Sequence, residues 1–384
     1  MLSSGEVTTE GMPRHLYIHV PFCRSRCAYC AFYSTTGADA ALLDRYINAI
    51  LFELSQSGEA GPLDTIYLGG GTPSLLGPGR VARLLDELRT LSTLSLDAEV
   101  TLEANPEGLA EGDTAALRAA GVTRLSLGVQ SFDDDDLRLL ERPHDAAEAR
   151  GAVAEARRAG LRVSLDLIYG LPARSPEHWT RQLDAAAATG VEHVSAYELS
   201  LEPGTRLADA LPDGLGDRAD LFFQTHEYLA TLGFEGYEVS NFARGPAARS
   251  RHNLATWGHR PYLGLGPAAH SFLETARGPL RRWNLPDLRA WLAALERGDE
   301  PPRGEEVLTA DQRLLERVML GLRTLNGVDL DKCRRELGDR AADGILERAG
   351  GAVQAGLLAL ESGRLRPTLQ GMALADGLAA ELAP

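Results

Sequence analysis

The stretch Tyr17-Ile18-His19-Val20-Pro21-Phe22-Cys23-Arg24-Ser25-Arg26-Cys27-Ala28-Tyr29-Cys30 decides how the rest of the chain is read. Residues 16–20 form a short run suited to a buried strand, and the thiols that follow are spaced C-x3-C-x2-C. A fourth cysteine, Cys333, is isolated far along the chain and is expected as a buried helix residue. Four cysteines in a chain of this size are not a disulfide framework, whereas three within eight residues are a metal site. A cubane iron–sulfur cluster takes four thiolates, so Cys23, Cys27 and Cys30 leave one iron open to a chelating small molecule. A zinc reading needs a fourth ligand, for which His19 is the candidate, and a second ligand cluster, for which no partner is found.

Working outward, short apolar runs alternate with helical periodicity from Leu16 to about Ser200. The expected strands are 16–20, 64–68, 98–103, 123–129, 162–168 and 192–198, with helices such as 40–55 and 79–91 between them. Gly121, Gly160 and Gly190 follow helical segments, where the chain must take positive φ. Six βα repeats imply a parallel α/β sheet, either open or curled into a partial (β/α)6 barrel. Glu103, Gln130, Asp166 and Gly69-Gly70-Gly71 fall at or near C-terminal strand ends, the end that forms a ligand-binding mouth in a barrel, and this favours the partial barrel.

The expected organisation is a flexible segment 1–12, a barrel over 13–239, an irregular His-, Arg- and Trp-rich segment 240–300 packing on it, and a unit over 301–384. A helix is expected at 217–232. The last unit opens on the capping box Thr309-Ala310-Asp311-Gln312 and adds further helices and a hairpin at 357–368, a winged-helix-like pattern. It carries 11 basic against 13 acidic side chains, and the whole chain has a formal charge of −15, so nucleic acid is not the expected partner. No run approaches the roughly 18 apolar residues of a membrane helix, and residues 1–12 lack a signal pattern, so the expected compartment is the cytoplasm.

The cysteine segment resembles the radical S-adenosylmethionine (SAM) signature, with an aromatic, Tyr29, before the last cysteine. Together with YIHVPFC, YLGGGTPSLL, LEANP, LSLGVQSF, LDLIYGLP, YEVSNFA and LGLGPAAHS, it is similar to the family of oxygen-independent coproporphyrinogen III oxidase and its HemW-type heme chaperone branch, over most of 17–272. That resemblance implies a 4Fe-4S cluster on Cys23, Cys27 and Cys30, and SAM contacts at Tyr17, Tyr29, Gly70, Gly71, Thr72, Glu103, Gln130, Arg142 and Asp166. The oxidases resemble C-x3-C-x2-C-x-C, but Phe32 stands where their last cysteine falls, which favours the chaperone branch. The implied activity is to bind heme and deliver it to heme-dependent proteins such as respiratory cytochromes. The alternatives are the oxidase's radical decarboxylation and another radical SAM reaction. Arg251-His252-Asn253-Leu254-Ala255-Thr256-Trp257 resembles the branch's heme-associated HNxxYW motif, with Thr256 in place of tyrosine. His252 and His270 are the heme ligand candidates, Trp257 could pack on a porphyrin face, and arginines of 249–283 could neutralise its propionates. A homodimer and transient membrane association stay open.

Overall fold

The computed structural model describes residues 12–58, 61–211, 215 and 218–383. The expected flexible segment lies, apart from Met12, outside the described residues. All six expected strands form: β1 (His15–Val20), β2 (Leu63–Gly70), β3 (Leu94–Ala104), β4 (Arg124–Gln130), β5 (Arg162–Tyr169) and β6 (His193–Glu198). They lie side by side, each parallel to the next. Three strands extend them. β7 (Glu235–Gly236) and β8 (Asn241–Ala243) continue antiparallel beyond β6, while β9 (Leu263–Leu265) joins β1 in parallel. The order is β9-β1-β2-β3-β4-β5-β6-β8-β7, and the two edges do not pair with each other, so the barrel is partial.

Period-two alternation gives the curled sheet two different faces. One face of the strands carries Leu16, Ile18, Ile66, Leu68, Val100, Leu102, Leu125, Leu127, Leu165 and Leu167, all buried. These pack in one core with Ile47 and Ile50 of helix Ala40–Gln56, Leu84 and Leu88 of helix Gly77–Leu91, and Leu183 of helix Pro176–Ala188. Each such side chain withdrawn from water contributes about 1.5–3 kcal/mol. The other face carries His15, Tyr17, Thr65, Tyr67, Glu99, Glu103, Arg124, Ser126, Ser164 and Asp166. A buried face this polar is paired across the interior: Glu99 bridges Arg124 at 3.1 Å, with both side chains at most 3% exposed, and Arg124 also donates to Ser164 Oγ at 3.1 Å.

The stretch 240–285, expected to be irregular, contains a short helix, Arg251–Trp257, and a hairpin, His270–Thr275 with Gly278–Asn284. Its Gly- and Arg-rich composition hid these elements because they are short and are held by tertiary hydrogen bonds. Ser250 caps the helix by accepting from Asn253 N at 3.3 Å, and Glu99 Oε1, inside the barrel, accepts from Arg251 N at 2.9 Å and His252 N at 3.2 Å. The helix thereby closes the floor of the barrel, at the N-terminal ends of the strands. Strand Arg303–Val307 pairs with Gly278–Asn284, so the division expected at 301 falls inside a sheet and the last unit starts near Leu308. That unit packs helices Ala310–Gly321, Leu330–Leu337 and Asp339–Gln354 around its own core of Leu314, Val318, Ile345 and Leu365. Its hairpin is Leu358–Glu361 with Arg364–Pro367. Cys333 is buried there, as expected.

Candidate functional site

The cysteine loop leaves β1 at the barrel mouth and is pinned at both ends. Gly71 N donates to Val20 O at 2.8 Å and Thr72 N to Phe22 O at 2.7 Å, while Ala28 O accepts from Leu207 N at 3.0 Å. The glycines at the end of β2 are needed by contact. A Cβ on Gly71 would stand 2.7 Å from Phe22 O, and one on Gly70, whose φ is +112°, would stand 2.6 Å from the His19 ring. Cys23, Cys27 and Cys30 are unpaired and half-buried. Burial pushes the Cys30 thiol up, and Cys27 and Cys23 add to the shift, so the three lie within electrostatic reach of one another. Among the described residues no three His, Cys, Asp or Glu groups close around a single ion. A cubane spreads its thiolates over separate irons and does not ask them to.

Around the loop, Arg142 is 9% exposed. Its Nη1 donates to Cys27 Sγ at 3.1 Å and its Nη2 to Asn105 Oδ1 at 2.7 Å and Gly128 O at 2.9 Å, while Nε is buried without a partner among the described residues. Thr72 Oγ1 lies 3.6 Å from Cys23 Sγ and accepts from Asn105 Nδ2 at 3.2 Å. Tyr29 is packed beside Leu140 and Ile168, and burial pushes its phenol up, with Arg142 opposing. Sequence reasoning gave no role to Asn105. It joins Arg142 to Thr72, and its signals in the sequence were its place just past the end of β3 and in the LEANP motif.

Below the loop lies a carboxylate pair. Glu103 accepts from Tyr67 Oη at 2.7 Å and Gly70 N at 3.0 Å, and burial raises its pKa against those bonds. Burial, and then the Glu103 charge, push Asp166 up to about 7, although Ser126 donates to it at 3.2 Å. Gln130 ends β4 at φ +67°, next to a register shift against β5, which turns its amide toward Gly128. Two interior carboxylates that form no ion pair among the described residues suit a ligand that brings donors. Tyr17 completes the group, its ring stacked on Tyr67 at 6.2 Å.

The histidines extend the same space. A cavity of about 450 Å³ is lined by Tyr17, Glu103, Phe32, His19, His252 and His270, among others. His252 rises from the floor helix. Its Nδ1 meets Thr65 Oγ1 at 2.8 Å, and burial pushes its pKa down to about 3, keeping it neutral. His270, more exposed, stacks on Trp283 at 6.1 Å. Phe32 stands 69% exposed at the rim. Two expectations change. Trp257, one turn past His252, lines a different cavity beneath the barrel, because five helical residues turn it to another face. The arginines Arg249, Arg251, Arg277 and Arg281 are already ion-paired, with Glu235, Asp97, Glu305 and Glu316.

A partial barrel with three loop cysteines at its mouth and polar strand ends beneath them is the architecture of a radical SAM protein. The sequence pattern of the Radical SAM superfamily matches residues 17–186, and that of the HemN C-terminal domain matches 308–374. The heme chaperone HemW of Mycobacterium tuberculosis is 40% identical over 97% of this chain and 96% of its own. The mitochondrial radical S-adenosyl methionine domain-containing protein 1 of Bos taurus is 37% identical over 94% of this chain and 86% of its own. Escherichia coli coproporphyrinogen III oxidase HemN superposes with a TM-score of 0.83 at 24% identity, covering 97% of this chain and 91% of that one, a likeness of fold. The chain belongs to the HemW family.

Proposed function

We propose that this chain is a heme chaperone that holds heme at the barrel mouth and passes it to heme-dependent proteins, respiratory cytochromes among them, while carrying a 4Fe-4S cluster to which SAM is bound. The observation that carries the reading is the shared cavity. His252 and His270 line the same space as Tyr17, Gly70 and Glu103, with an aromatic, Phe32, at its rim where an oxidase would place a cysteine. Imidazole nitrogens suit heme iron, and Phe32 and Tyr262 offer flat apolar surface to a porphyrin.

The residues fit the cluster and its ligand. Cys23, Cys27 and Cys30 would hold three irons, and the neighbouring Arg142 guanidinium donates to Cys27 Sγ, fixing where that ligand stands. Glu103 and Asp166 would accept from the hydroxyl or amino groups of SAM. When bound, cluster and SAM together supply one-electron cleavage to a carbon radical. The completeness of this polar set favours a second reading, in which the chain also runs a radical reaction of its own.

The test is anaerobic reconstitution with iron and sulfide, followed on one sample by heme titration and by assay for coproporphyrinogen III decarboxylation with SAM and reductant. Stoichiometric heme binding without decarboxylation is expected. Decarboxylation without stable heme binding would overturn the chaperone reading in favour of the oxidase.

A further inference from the structure

Beneath the barrel a second cavity, of about 510 Å³, opens between the start of β1, the outer face of helix Arg251–Trp257 and the C-terminal unit. Its charge runs against that of the chain. The protein carries −15 overall, yet Arg251, Arg260, Arg317, Lys332 and Arg364 line this cavity against Asp64 and Asp329. Both carboxylates are spoken for. Asp64 takes a two-point contact from Arg14 at 2.7 and 2.8 Å, and Asp329 accepts from Arg364 at 2.8 Å.

The cations are less well satisfied. The Arg260 guanidinium is exposed and meets no partner among the described residues. Arg317 is 8% exposed, reaches Glu336, and keeps a buried Nε with no acceptor. Lys332 is the only lysine of the chain, and its nearest carboxylate, Glu336, is 3.9 Å away and shared with Arg313 and Arg317. Burial and then Arg317 lower the Lys332 pKa, Glu336 opposes them, and Arg260 and Arg313 lower it further, so three guanidinium charges converge on one ammonium that faces a single shared carboxylate. Gathering cations in a partly dry space is unfavourable unless an anion sits among them. Trp257 and Leu254 supply apolar surface beside them.

We propose that this junction cavity binds an organic polyanion, a phosphate ester or a dicarboxylate, with its charged groups among Arg260, Arg317 and Lys332 and its body against Trp257. The site is separate from the barrel mouth, and the proposal stands whether or not heme binds there.

A single lysine makes the test direct. The full-length chain is treated with pyridoxal 5′-phosphate or with pyridoxal, reduced with borohydride, and digested for mass spectrometry, with the N-terminal amine as internal reference. The phosphate-bearing probe is expected to label Lys332 about tenfold more selectively than pyridoxal, as one charge-assisted contact implies. Arg260→Gln, at an exposed and unpartnered side chain, is expected to remove most of that preference without altering the fold. Protection of Lys332 by succinate would assign the site to a dicarboxylate, and protection by ATP to a phosphate ester. Equal labelling by both probes, or no protection by either competitor, overturns the proposal.

Discussion

Arg142 Nη1 lies 3.1 Å from Cys27 Sγ, while Nη2 of the same guanidinium is held by Asn105 Oδ1 at 2.7 Å and Gly128 O at 2.9 Å. One side chain thus ties the cysteine loop to the ends of β3 and β4. Its fork fixes where one sulfur can stand.

Arg142→Met is therefore expected to weaken cluster retention by roughly ten- to a hundredfold, the usual loss when a ligand's supporting partner is removed. Iron and sulfide content after reconstitution and desalting measures it. Arg142→Lys is expected to recover only part of the loss, because a point charge cannot serve Cys27 and Asn105 together. Full iron content in the Met variant would mean that the contact is incidental.

Asp166 gives a pH dependence. Burial and the neighbouring Glu103 push its pKa up to about 7, well above the unfolded value of 3.8. The folded state thus binds the extra proton between those values, and this group's contribution to stability falls as pH rises from 3.8 to 7. A ligand that donates to the carboxylate binds the ionised form. SAM affinity is expected to fall about tenfold per pH unit below 7 and to level off above it. Asp166→Asn is expected to flatten that profile. Equilibrium dialysis across the range, on reconstituted protein, measures both.

The six parallel strands were legible because their period-two pattern is local. Glu103, Gln130 and Asp166 could be placed near strand ends for the same reason. What stayed hidden depends on contacts distant in sequence. β9 is three residues long and is recognisable only once β1 stands beside it. The floor helix Arg251–Trp257 takes its N-terminal hydrogen bonds from Glu99, about 150 positions earlier, which no window along the chain reveals. Trp257 was set beside His252 by motif proximity, and helical geometry sent it to another cavity.

That floor predicts a stability effect. Glu99 accepts from two backbone N–H groups of the helix and pairs with Arg124, both carboxylate and guanidinium being almost fully buried. Glu99→Gln leaves the Arg124 charge without its counterion, and a loss of about 3–5 kcal/mol is expected. Arg124→Met added to it is expected to cost less than the sum of the single changes, because the orphaned charge is gone. Denaturant unfolding of the three variants measures the coupling, and simple additivity would show that the pair does not act as one unit.

On the proposed reading, His252 would be the ligand that holds heme iron. Thr65 Oγ1 occupies Nδ1, so Nε2 is the nitrogen available to iron. Burial pushes its pKa down to about 3, far below the unfolded 6.5, so its contribution to stability is present above 6.5 and is lost as pH falls toward 3. The same shift keeps the imidazole neutral, the form that ligates iron, throughout the physiological range. Iron bound to His252 is therefore expected to keep its Soret spectrum unchanged from pH 8 to about 5, where a solvated histidine near 6.5 would already be protonated. His252→Ala is expected to lower heme affinity by at least about tenfold and shift the Soret band, with His270→Ala changing it less, because His270 is the more exposed of the two and stacks on Trp283. A band lost in the His270 variant and intact in the His252 variant would transfer the axial role to His270 and leave His252 as a prop of the barrel floor.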